Sequence, residues 1–297
     1  RVKDDEDRLS KPSYDLKSIH RTRGFLDEMS VVLTDLGFEL QQIDHEDANG
    51  QYEINYRFDD ALNAADRYML FKIAAHAVAE KHGMVFSCMP KPLANAPGSG
   101  LHFHLSITDE NGTPVFSNAD DALGLSEAGY GFAAGLLYHA DALSALCAPT
   151  ANSYKRLAVS NSLSGTTWSP VWKAMGDNNR TCLVRMVAGR IEWRLPDPSC
   201  NVYAAIAATL AAGLNGIDSQ MTPDPAISVD LYEQYATGAP MPARLPRDLF
   251  EALQGLQADT VLREQIGVAF CDEFLAIKRA EWDAYSQHVT AWELDRY

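Results

Sequence analysis

The chain has 297 residues and is acidic, with 25 basic and 40 acidic side chains and a formal net charge of -15. Its hydrophobic fraction of 46% is enough for one large domain or two smaller ones around a sizeable core. The negative charge argues against a general nucleic-acid-binding protein, and no apolar run is long enough to span a bilayer. Five scattered cysteines without a C-x-x-C pair argue against structural zinc and a disulfide framework, and favour a reducing cytoplasm.

The first part of the chain is predicted to form two long helices around a hairpin. Apolar residues recur at helical spacing over 14–36 and over 60–82, and each run is followed by a glycine suited to end a helix. Residues 38–58 alternate in polarity around the Asn-Gly dipeptide at 49–50, a strong signal for a β-hairpin. A strand is expected over 84–88.

The middle of the chain is predicted to alternate between strands and apolar helices. A strand is expected over 100–108, followed by an Ala-rich helix over 125–147. Residues 150–179 are rich in Ser, Thr, Asn and Gly without clear periodicity, which indicates mostly loop. Two short strands joined by a turn are expected within 182–195, and a buried helix over 201–216.

A Pro-rich stretch, residues 222–246, is interpreted as a linker to two or three acidic helices at the C-terminus. The complete pattern predicts the α+β class, in which antiparallel hairpins that carry polar residues are backed by helices.

The segment HEDANGQYE, residues 45–53, is the first candidate site. If Asn49 and Gly50 are the two central residues of the turn, Glu46 faces Glu53 across the hairpin. Two carboxylates directly opposite each other repel, so a hard divalent cation such as Mg²⁺ is expected between them. The alternative is a hydrated hairpin tip, where solvent screens the repulsion.

The segment GSGLHFHLS, residues 98–106, is the second candidate site. Because side chains alternate along a strand, His102, His104 and Ser106 share one face and leave the apolar residues to the other. Two imidazoles and a hydroxyl on one face favour a metal or phosphate contact over a purely structural role. The glycines before them allow a close approach of the backbone to a small molecule.

The third candidate is NNRTCLVRMVAGRIEWRLPDP, which gathers four arginines in an acidic protein: Arg180, Arg185, Arg190 and Arg194. Strand geometry places Arg190, Glu192 and Arg194 on one face, with Ile191 and Trp193 on the other. A surface ladder of salt bridges is one interpretation. The apolar flanks favour a half-buried strand instead, in which guanidiniums bind phosphate or carboxylate groups.

The three segments together place acidic ligands, imidazoles and arginines on β-strands. This combination of residue types is suited to phosphoryl transfer with Mg²⁺. A hydrolase with a nucleophilic triad is less plausible, because the sequence has no G-x-S-x-G motif.

Five segments between residues 38 and 216 resemble, in order, the successive signatures of glutamine synthetases: HEDANGQYE, MPKPLANAPGSGLHFHLS, APTANSYKRL, NNRTCLVR and RIEWRLPDPSCNVY. HEDANGQYE and SLSGTTWSP are most similar to the branch that includes glutamate–methylamine ligase. The resemblance implies the family's C-terminal catalytic domain over residues 1–297, with the fold shared with guanidino kinases, a curved antiparallel sheet backed by helices.

The resemblance also implies a reaction. ATP phosphorylates the γ-carboxylate of glutamate, and ammonia or a small amine then displaces the phosphate, with two or three Mg²⁺ or Mn²⁺ ions bridging phosphates and glutamate. A cytoplasmic homo-oligomeric ring, by family resemblance a dodecamer, without nucleic-acid or membrane partners, is expected.

By position, the resemblance assigns roles to the residues of all three segments. The metal ligands would be Glu46 and Glu53 for one ion, and His102 and Glu192 for a second. The nucleotide and phosphate contacts would be Phe58, His104, Ser106, Arg185 and Arg190. Arg156 and Gly98 would hold the carboxylate and amino group of the substrate, Arg194 its γ-carboxylate, and Arg180 the transferring phosphoryl group.

Two departures from the family pattern affect these expectations. The chain has no strand with two further metal-binding glutamates before Tyr14 and no small N-terminal β-domain, so the metal sites are expected to be incomplete in it. Ammonia-using members also carry a flap glutamate shortly after NSYKRL. Ser162 lies near that place here, and no carboxylate occurs between Arg156 and Asp177, which favours an amine other than ammonia.

Two alternatives remain open at this point. One is a relative that has lost catalysis and serves as a nucleotide-binding or structural ring protein, although the retained glutamates, His102 and arginines argue against it. The other is a guanidino kinase, against which NSYKRL and the double-histidine strand argue.

Overall fold

The computed structural model describes residues 13–159, 168–187 and 189–297, and the α+β class expected from the sequence is confirmed. The chain folds into two compact units, one formed by the described part of residues 1–99 and the other by residues 100–158 and 168–297. No helix within the described ranges is long and apolar enough to cross a membrane.

The described part of the first unit combines three helices with a two-stranded hairpin. Its elements are α1 (Leu16–Arg21), α2 (Arg23–Asp35), β1 (Leu40–His45), β2 (Tyr52–Tyr56) and α3 (Ala61–Lys81). Met29 and Leu33 of α2 and Ala75 and Val78 of α3 are buried in one apolar cluster with Phe38. The hairpin contributes Leu40, Ile54 and Tyr56 to the edge of this cluster.

The predicted helix over 14–36 is interrupted at Thr22, which lies between α1 and α2. The Thr22 hydroxyl donates to the carbonyl of Ser18 at 2.9 Å and lies 2.7 Å from the hydroxyl of Tyr52. A β-branched residue whose hydroxyl bonds back to the preceding turn bends a helix, and here it also ties the bend to β2.

The predicted strand over 84–88 is wrong, because these residues are irregular and pair with no strand in the part of the chain that the structure describes. The alternation that suggested it is nevertheless present, since Met84, Phe86 and Cys88 are half-buried while Val85 and Ser87 are exposed. Phe86 packs on the core of the first unit, so the pattern reflects one-sided packing of an irregular segment.

The second unit is a four-stranded sheet covered by helices. Its elements are β3 (Phe103–Leu105), α4 (Glu127–Tyr138), α5 (Ala140–Cys147), α6 (Ser153–Arg156), β4 (Met175–Asp177), β5 (Val184–Val187), β6 (Arg190–Trp193), α7 (Val202–Asp218), α8 (Leu231–Ala236), α9 (Leu249–Ala258), α10 (Thr260–Ile266), α11 (Val268–Ser286) and α12 (Ala291–Arg296). The strand order is β3-β6-β5-β4.

The sheet is antiparallel except at one edge. β6 pairs antiparallel with both β3 and β5, as expected for the fold, whereas β4 pairs parallel to β5. The chain returns from β4 to β5 through residues 178–183, where Asn178 adopts a left-handed conformation with φ of 46°. Asn tolerates this region better than most residues, and the tight turn places Met175 opposite Val184.

One face of the sheet packs against the main apolar core. Val184, Ile191 and Trp193 are fully buried and belong to the same apolar cluster as α4, α5 and α7. The opposite face of the same strands carries the polar residues singled out in the sequence. The alternation therefore divides the strands into a packed side and a chemical side, as predicted.

Three further expectations need correction. The predicted helix over 125–147 divides at His139 into α4 and α5. The segment 150–179, expected to be mostly loop, contains the short helix α6 and the edge strand β4. The predicted linker 222–246 contains α8, whose Leu231 is fully buried.

Acidic residues start many of the helices. The N-caps of five helices are aspartates whose carboxylates accept backbone N–H groups of the first turn: Asp15, Asp60, Asp230, Asp248 and Asp259. A carboxylate at this position satisfies an otherwise unpaired donor and interacts favourably with the helix dipole. Part of the negative charge thus has a structural role.

His139 is buried at the α4–α5 junction and joins three parts of the second unit. Its Nδ1 lies 2.5 Å from Asp259 Oδ2, at the α9–α10 junction, and its Nε2 lies 3.0 Å from Asn215 Oδ1 on α7. Burial opposes the charged imidazole, but the hydrogen bonds that the ring donates to Asp259 and Asn215 outweigh it and raise the pKa of His139 above its ordinary 6.5.

This raised pKa predicts a pH-dependent stability. A group with a raised folded-state pKa stabilises the fold fully below its unfolded pKa, and the contribution is lost as pH rises through the folded value. We expect Asp259→Asn, which keeps an N-cap oxygen, to reduce the fall in melting temperature between pH 6 and pH 8.5. Parallel melting curves for both proteins over this range would contradict the assignment.

Candidate active site

A row of polar side chains crosses the second unit's sheet on its chemical side. His104 of β3 is opposite Glu192 of β6, and Glu192 is opposite Arg185 of β5. Residues directly opposite one another in a sheet share a face, so an imidazole, a carboxylate and a guanidinium lie side by side. This is the predicted arrangement, and the register makes Glu192 its centre.

Glu192 is buried, with 2% of its surface exposed, and both of its oxygens accept hydrogen bonds from arginine. Arg194 Nη1 lies 2.6 Å from Oε1, and Arg185 Nη1 lies 2.6 Å from Oε2. His102 Nδ1 is 3.2 Å from Oε1. The carboxylate therefore holds two guanidiniums and one imidazole in fixed positions.

The charges around Glu192 determine its protonation state. Burial alone would raise its pKa, but the hydrogen bond from His102 and the nearby Arg194 guanidinium keep it well below the ordinary range. Desolvation, together with the charge of Arg194, lowers the pKa of His102 to about 4, although 31% of its side chain is still exposed. At neutral pH the cluster thus consists of an ionised Glu192, neutral His102 and charged arginines.

His104 and Arg190 form a second polar pair on the same face. Arg190 Nε donates to His104 Nδ1 at 3.1 Å, so Nδ1 is the acceptor, which fits the tautomer with the proton on Nε2. Arg190 and His104 are exposed, as is Ser106, which follows the end of β3. This region is open to a ligand, in contrast to the buried Glu192.

Arg194 and Arg156 are more deeply buried than their predicted substrate contacts suggest. Arg194 donates from Nη2 to the carbonyl of Trp168 at 2.9 Å, and its buried Nε has no hydrogen-bond partner among the described residues. Arg156 donates to the carbonyls of Leu195 and Arg194, both at 2.9 Å. Arg156 thus braces the end of β6, which carries Arg194.

Gly100 keeps the space beside these residues open. A Cβ added at Gly100 would lie 2.5 Å from His102 Nε2 and 2.8 Å from Arg156 Nη2. Such contacts require a shift, so only glycine fits here without moving either side chain. The GSG pattern indicated close backbone approach, and in the structure the neighbours are these two predicted site residues.

Asn178 and Trp168 belong to this site but were missed by sequence reasoning. The Asn178 side-chain oxygen accepts from Arg185 Nε at 3.0 Å and also from Arg185 Nη2. Arg180 lies over the Trp168 ring, with its guanidinium carbon 5.5 Å from the ring centroid. Both missed residues lie in or beside the segment that lacked periodicity, and the one available signal was the NN dipeptide, which is typical of turns.

The first unit carries the predicted carboxylate pair, but in a different register. His45 is opposite Tyr52, and the Glu46 N–H donates to the Gln51 carbonyl, so the hairpin loop has four residues. The expectation that Glu46 directly faces Glu53 is therefore wrong. The two are diagonal neighbours on one face, a separation that long side chains can still bridge.

Glu46 and Glu53 nevertheless meet through their side chains. Burial, a hydrogen bond with Glu53 and the Glu53 charge raise the pKa of Glu46 to about 7. Two carboxylates that resist joint ionisation form a donor pair that suits a hard divalent cation. The first unit therefore fits one half of the predicted metal requirement.

Gln51 connects this hairpin to the glycine-rich segment of the same unit. Its side-chain amide donates to the Gly98 carbonyl at 3.1 Å and lies 3.2 Å from the Ser99 hydroxyl. Gly98, the predicted contact for the substrate amino group, is thus positioned by a residue that the sequence analysis did not single out. Phe58, the predicted base or ribose contact, follows β2 and is 83% exposed.

The predicted metal ligands form two contacting pairs in the described part of the chain. His102 and Glu192 lie adjacent, and Glu46 contacts Glu53, so each pair offers donors typical of a divalent site. Within residues 13–159, 168–187 and 189–297, no group of three or more His, Cys, Asp or Glu side chains is arranged around one point. Ser162, the predicted flap residue, lies outside the described residues.

Comparison with known proteins identifies the family to which this chain is similar. The glutamine synthetase catalytic domain matches residues 2–297. A glutamate–methylamine ligase of Methyloversatilis universalis is 48% identical over 298 residues, which cover 99% of this chain and 67% of that protein. A glutamine synthetase of Rhizobium leguminosarum bv. phaseoli is 41% identical, over 99% of this chain and 68% of that protein.

Solved structures agree with these matches. A GmaS–ADP complex superposes with a TM-score of 0.92 at 43% identity, over 98% of this chain and 67% of that one. GmaS without ligand gives 0.89 at 41% identity, over 98% and 66%. The chain spans about two thirds of the length of its relatives.

The fold and the cluster around Glu192 define the catalytic domain of an ATP-dependent ligase that joins an amine to glutamate. The chain belongs to the glutamine synthetase family.

The central position of Glu192 predicts a large effect on stability. Glu192→Gln leaves Arg185 and Arg194 without their buried counter-charge, and we expect the free energy of unfolding to fall by about 3 kcal/mol in urea titrations. Glu251→Gln is the matched control, because Glu251 pairs with the exposed Arg247 and its loss should matter little. Equal stabilities for the two variants would contradict this account.

Proposed function

We propose that this ligase uses a small alkylamine, with methylamine preferred over ammonia, and that the residues around Glu192 hold the reacting groups. The observation that carries the proposal is the buried Glu192 carboxylate, which fixes Arg185, Arg194 and His102 on one face of the sheet. Convergent cations on a buried, polar sheet face are suited to anionic substrates such as phosphates and carboxylates.

The nucleotide is proposed to bind along the exposed part of this face. Arg185 and Arg190 supply guanidiniums, and His104 and Ser106 supply hydrogen-bond donors, for the phosphates. Arg190 fixes the tautomer of His104, which makes His104 Nε2 a donor that suits a phosphate oxygen. The resemblance to the family, rather than any placement of the two units, is the basis for proposing Phe58, which is 83% exposed, as the ribose or base contact. The similarity to a GmaS–ADP complex supports a nucleotide ligand.

Glutamate is proposed to bind at the buried end of the face. Arg194 would meet the γ-carboxylate through its Nε, the buried donor without a partner in the described ranges. An unpaired buried donor is costly, and a substrate carboxylate would satisfy it. Arg156, next to Gly100, is proposed to contact the substrate's other carboxylate, and the Gly98 carbonyl its amino group.

Divalent cations are proposed to be held by two pairs of residues, Glu46 with Glu53 and His102 with Glu192. Two or three Mg²⁺ or Mn²⁺ ions are expected, and when bound they would neutralise charge on the phosphates. The raised pKa of Glu46, caused by burial and by the neighbouring Glu53, indicates an unfavourable concentration of negative charge that a cation would relieve, which supports this assignment.

The protein's own residues would contribute orientation and charge stabilisation to the reaction. The γ-carboxylate oxygen attacks the terminal phosphorus of ATP, and ADP departs. Arg180 is proposed to stabilise the transferring phosphoryl group, while Arg194 holds the carboxylate in line. The amine then attacks the γ-carbonyl carbon, and phosphate leaves. Fixed guanidiniums lower the barrier because they are oriented before charge develops.

Further properties of the whole protein are also proposed. The family suggests a homo-oligomeric ring, and residues 1–297 would form its catalytic domain, with residues 222–246 leading to the C-terminal helices. All five cysteines lie in the described residues and none forms a disulfide, which supports a reducing cytoplasmic location.

Turnover with different amines tests the proposal. We expect the full-length enzyme, given ATP, Mg²⁺ and glutamate, to release phosphate faster with methylamine than with ammonium at equal concentrations. The preference is expected because the relative at 48% identity is a glutamate–methylamine ligase and because the segment between Arg156 and Asp177 contains no carboxylate to bind ammonium. Phosphate release is measured by a coupled colorimetric assay.

Two outcomes would count against the proposal. A clear preference for ammonium would contradict the choice of amine while leaving the ligase class intact. Absence of phosphate release with every amine, in a protein that still binds ADP, would instead favour a relative that has lost catalysis.

A further inference from the structure

Trp168 contacts two of the proposed catalytic arginines, Arg180 and Arg194. Its backbone carbonyl accepts a hydrogen bond from Arg194 Nη2 at 2.9 Å, and its ring lies under Arg180, 5.5 Å from the guanidinium carbon. These contacts involve both the backbone and the side chain, so the residue is fixed from two directions. The indole nevertheless keeps 41% of its surface exposed.

The surroundings of Trp168 are poorly suited to a cationic ligand such as ammonium, which would need a carboxylate as its partner. Glu192 is the carboxylate that contacts Arg194, and its two oxygens already accept guanidinium protons from Arg185 and Arg194. The two side chains shown to contact Trp168, Arg180 and Arg194, are both cationic, and the exposed surface beside them is an aromatic ring. A ring next to guanidiniums offers apolar contact to an uncharged amine and its alkyl group.

We propose that Trp168 determines the specificity for the amine, by providing an apolar wall that binds the alkyl group of a small primary amine. The inference rests on the proposed function, in which Arg194 holds the γ-carboxyl group and Arg180 the phosphoryl group. Because Trp168 contacts both arginines, an amine that reaches the bond between these two groups passes along the indole. Ammonia has no apolar part and gains nothing from this wall.

The amine bound at this apolar wall reacts with the acyl phosphate by nucleophilic substitution at the γ-carbonyl carbon. The lone pair of the uncharged amine forms a C–N bond to the γ-carbonyl carbon of the acyl phosphate. The C–O bond to phosphate breaks, and phosphate leaves with the electron pair. The nitrogen loses one proton to bulk water. Trp168 takes no part in proton transfer and acts only on the position of the amine.

The test compares amine selectivity in variants of the full-length enzyme. Trp168→Ala should lower the ratio of kcat/KM for methylamine to kcat/KM for ammonium by about tenfold, the low end of what one methylene group contributes in an apolar pocket. Trp168→Gln, which keeps much of the volume but is polar, should lower the ratio similarly. Trp168→Phe should restore most of it, and KM for glutamate should stay within about twofold.

Phe270→Ala provides a matched control. Phe270 is an aromatic residue of α11 with 42% of its surface exposed, close to the value for Trp168, and its ring packs against Phe274. Its removal should leave the selectivity ratio unchanged. Circular dichroism of each variant verifies folding, and Trp168→Phe and Trp168→Gln still decide the question if Trp168→Ala does not fold.

The outcomes separate this inference from the proposed function. An equal loss of kcat/KM for both amines, with an unchanged ratio, would show that Trp168 only orients Arg180 and Arg194 and would overturn the inference. A wild-type enzyme that turns over no amine would overturn the proposed function and this inference with it. A tenfold loss of selectivity confined to the Trp168→Ala and Trp168→Gln variants would support both.

Discussion

The chemical side of the sheet depends on one buried carboxylate. Glu192 stays ionised despite its burial because His102 donates to it and because Arg194 and Arg185 each donate to one of its oxygens at 2.6 Å. Burial of any of these charges alone would be strongly unfavourable, whereas together they form a fixed cluster. The cluster also fixes its neighbours. Arg156 donates a hydrogen bond to the backbone carbonyl of Arg194, and the Arg194 side chain donates one to the carbonyl of Trp168.

This interdependence also explains how an acidic protein can offer a binding site for anions. The acidic residues lie largely elsewhere, and five of them cap helices. The arginines are concentrated on β5, on β6 and directly beside them, and the opposite face of β6 is anchored in the core by Ile191 and Trp193. Packing of the apolar face holds the strands rigid, and this fixes the guanidiniums on the polar face. Guanidiniums that are held in place before the reaction need no reorganisation during it.

Several features could be predicted because they follow from local periodicity. The alternation of Arg190, Glu192 and Arg194 with Ile191 and Trp193 fixes the two faces of β6, whichever strands lie beside it. The hairpin register was not predictable in this way. The Asn-Gly pair favours a two-residue loop, but the hydrogen bond of the Glu46 N–H to Gln51 closes a loop of four residues.

Other features depend on contacts far apart in the sequence, which no local pattern encodes. The burial of Arg156 arises from residues nearly forty positions later, and Trp168 is placed by Arg180 and Arg194 from an aperiodic segment. The family signatures nevertheless pointed to the correct strands, because phosphate and carboxylate chemistry restricts which residue types can occupy the polar face.

The central claim is that the exposed arginines of this face bind nucleotide phosphates, and calorimetric titration with ADP in the presence of Mg²⁺ tests it most directly. Arg190→Gln should weaken ADP binding by about tenfold or more, since one charge-assisted hydrogen bond contributes roughly 1.5–3 kcal/mol. Arg247→Gln, which removes an exposed arginine that pairs with Glu251, should bind ADP as the wild type does. Equal ADP affinity in the wild type and Arg190→Gln would contradict the account.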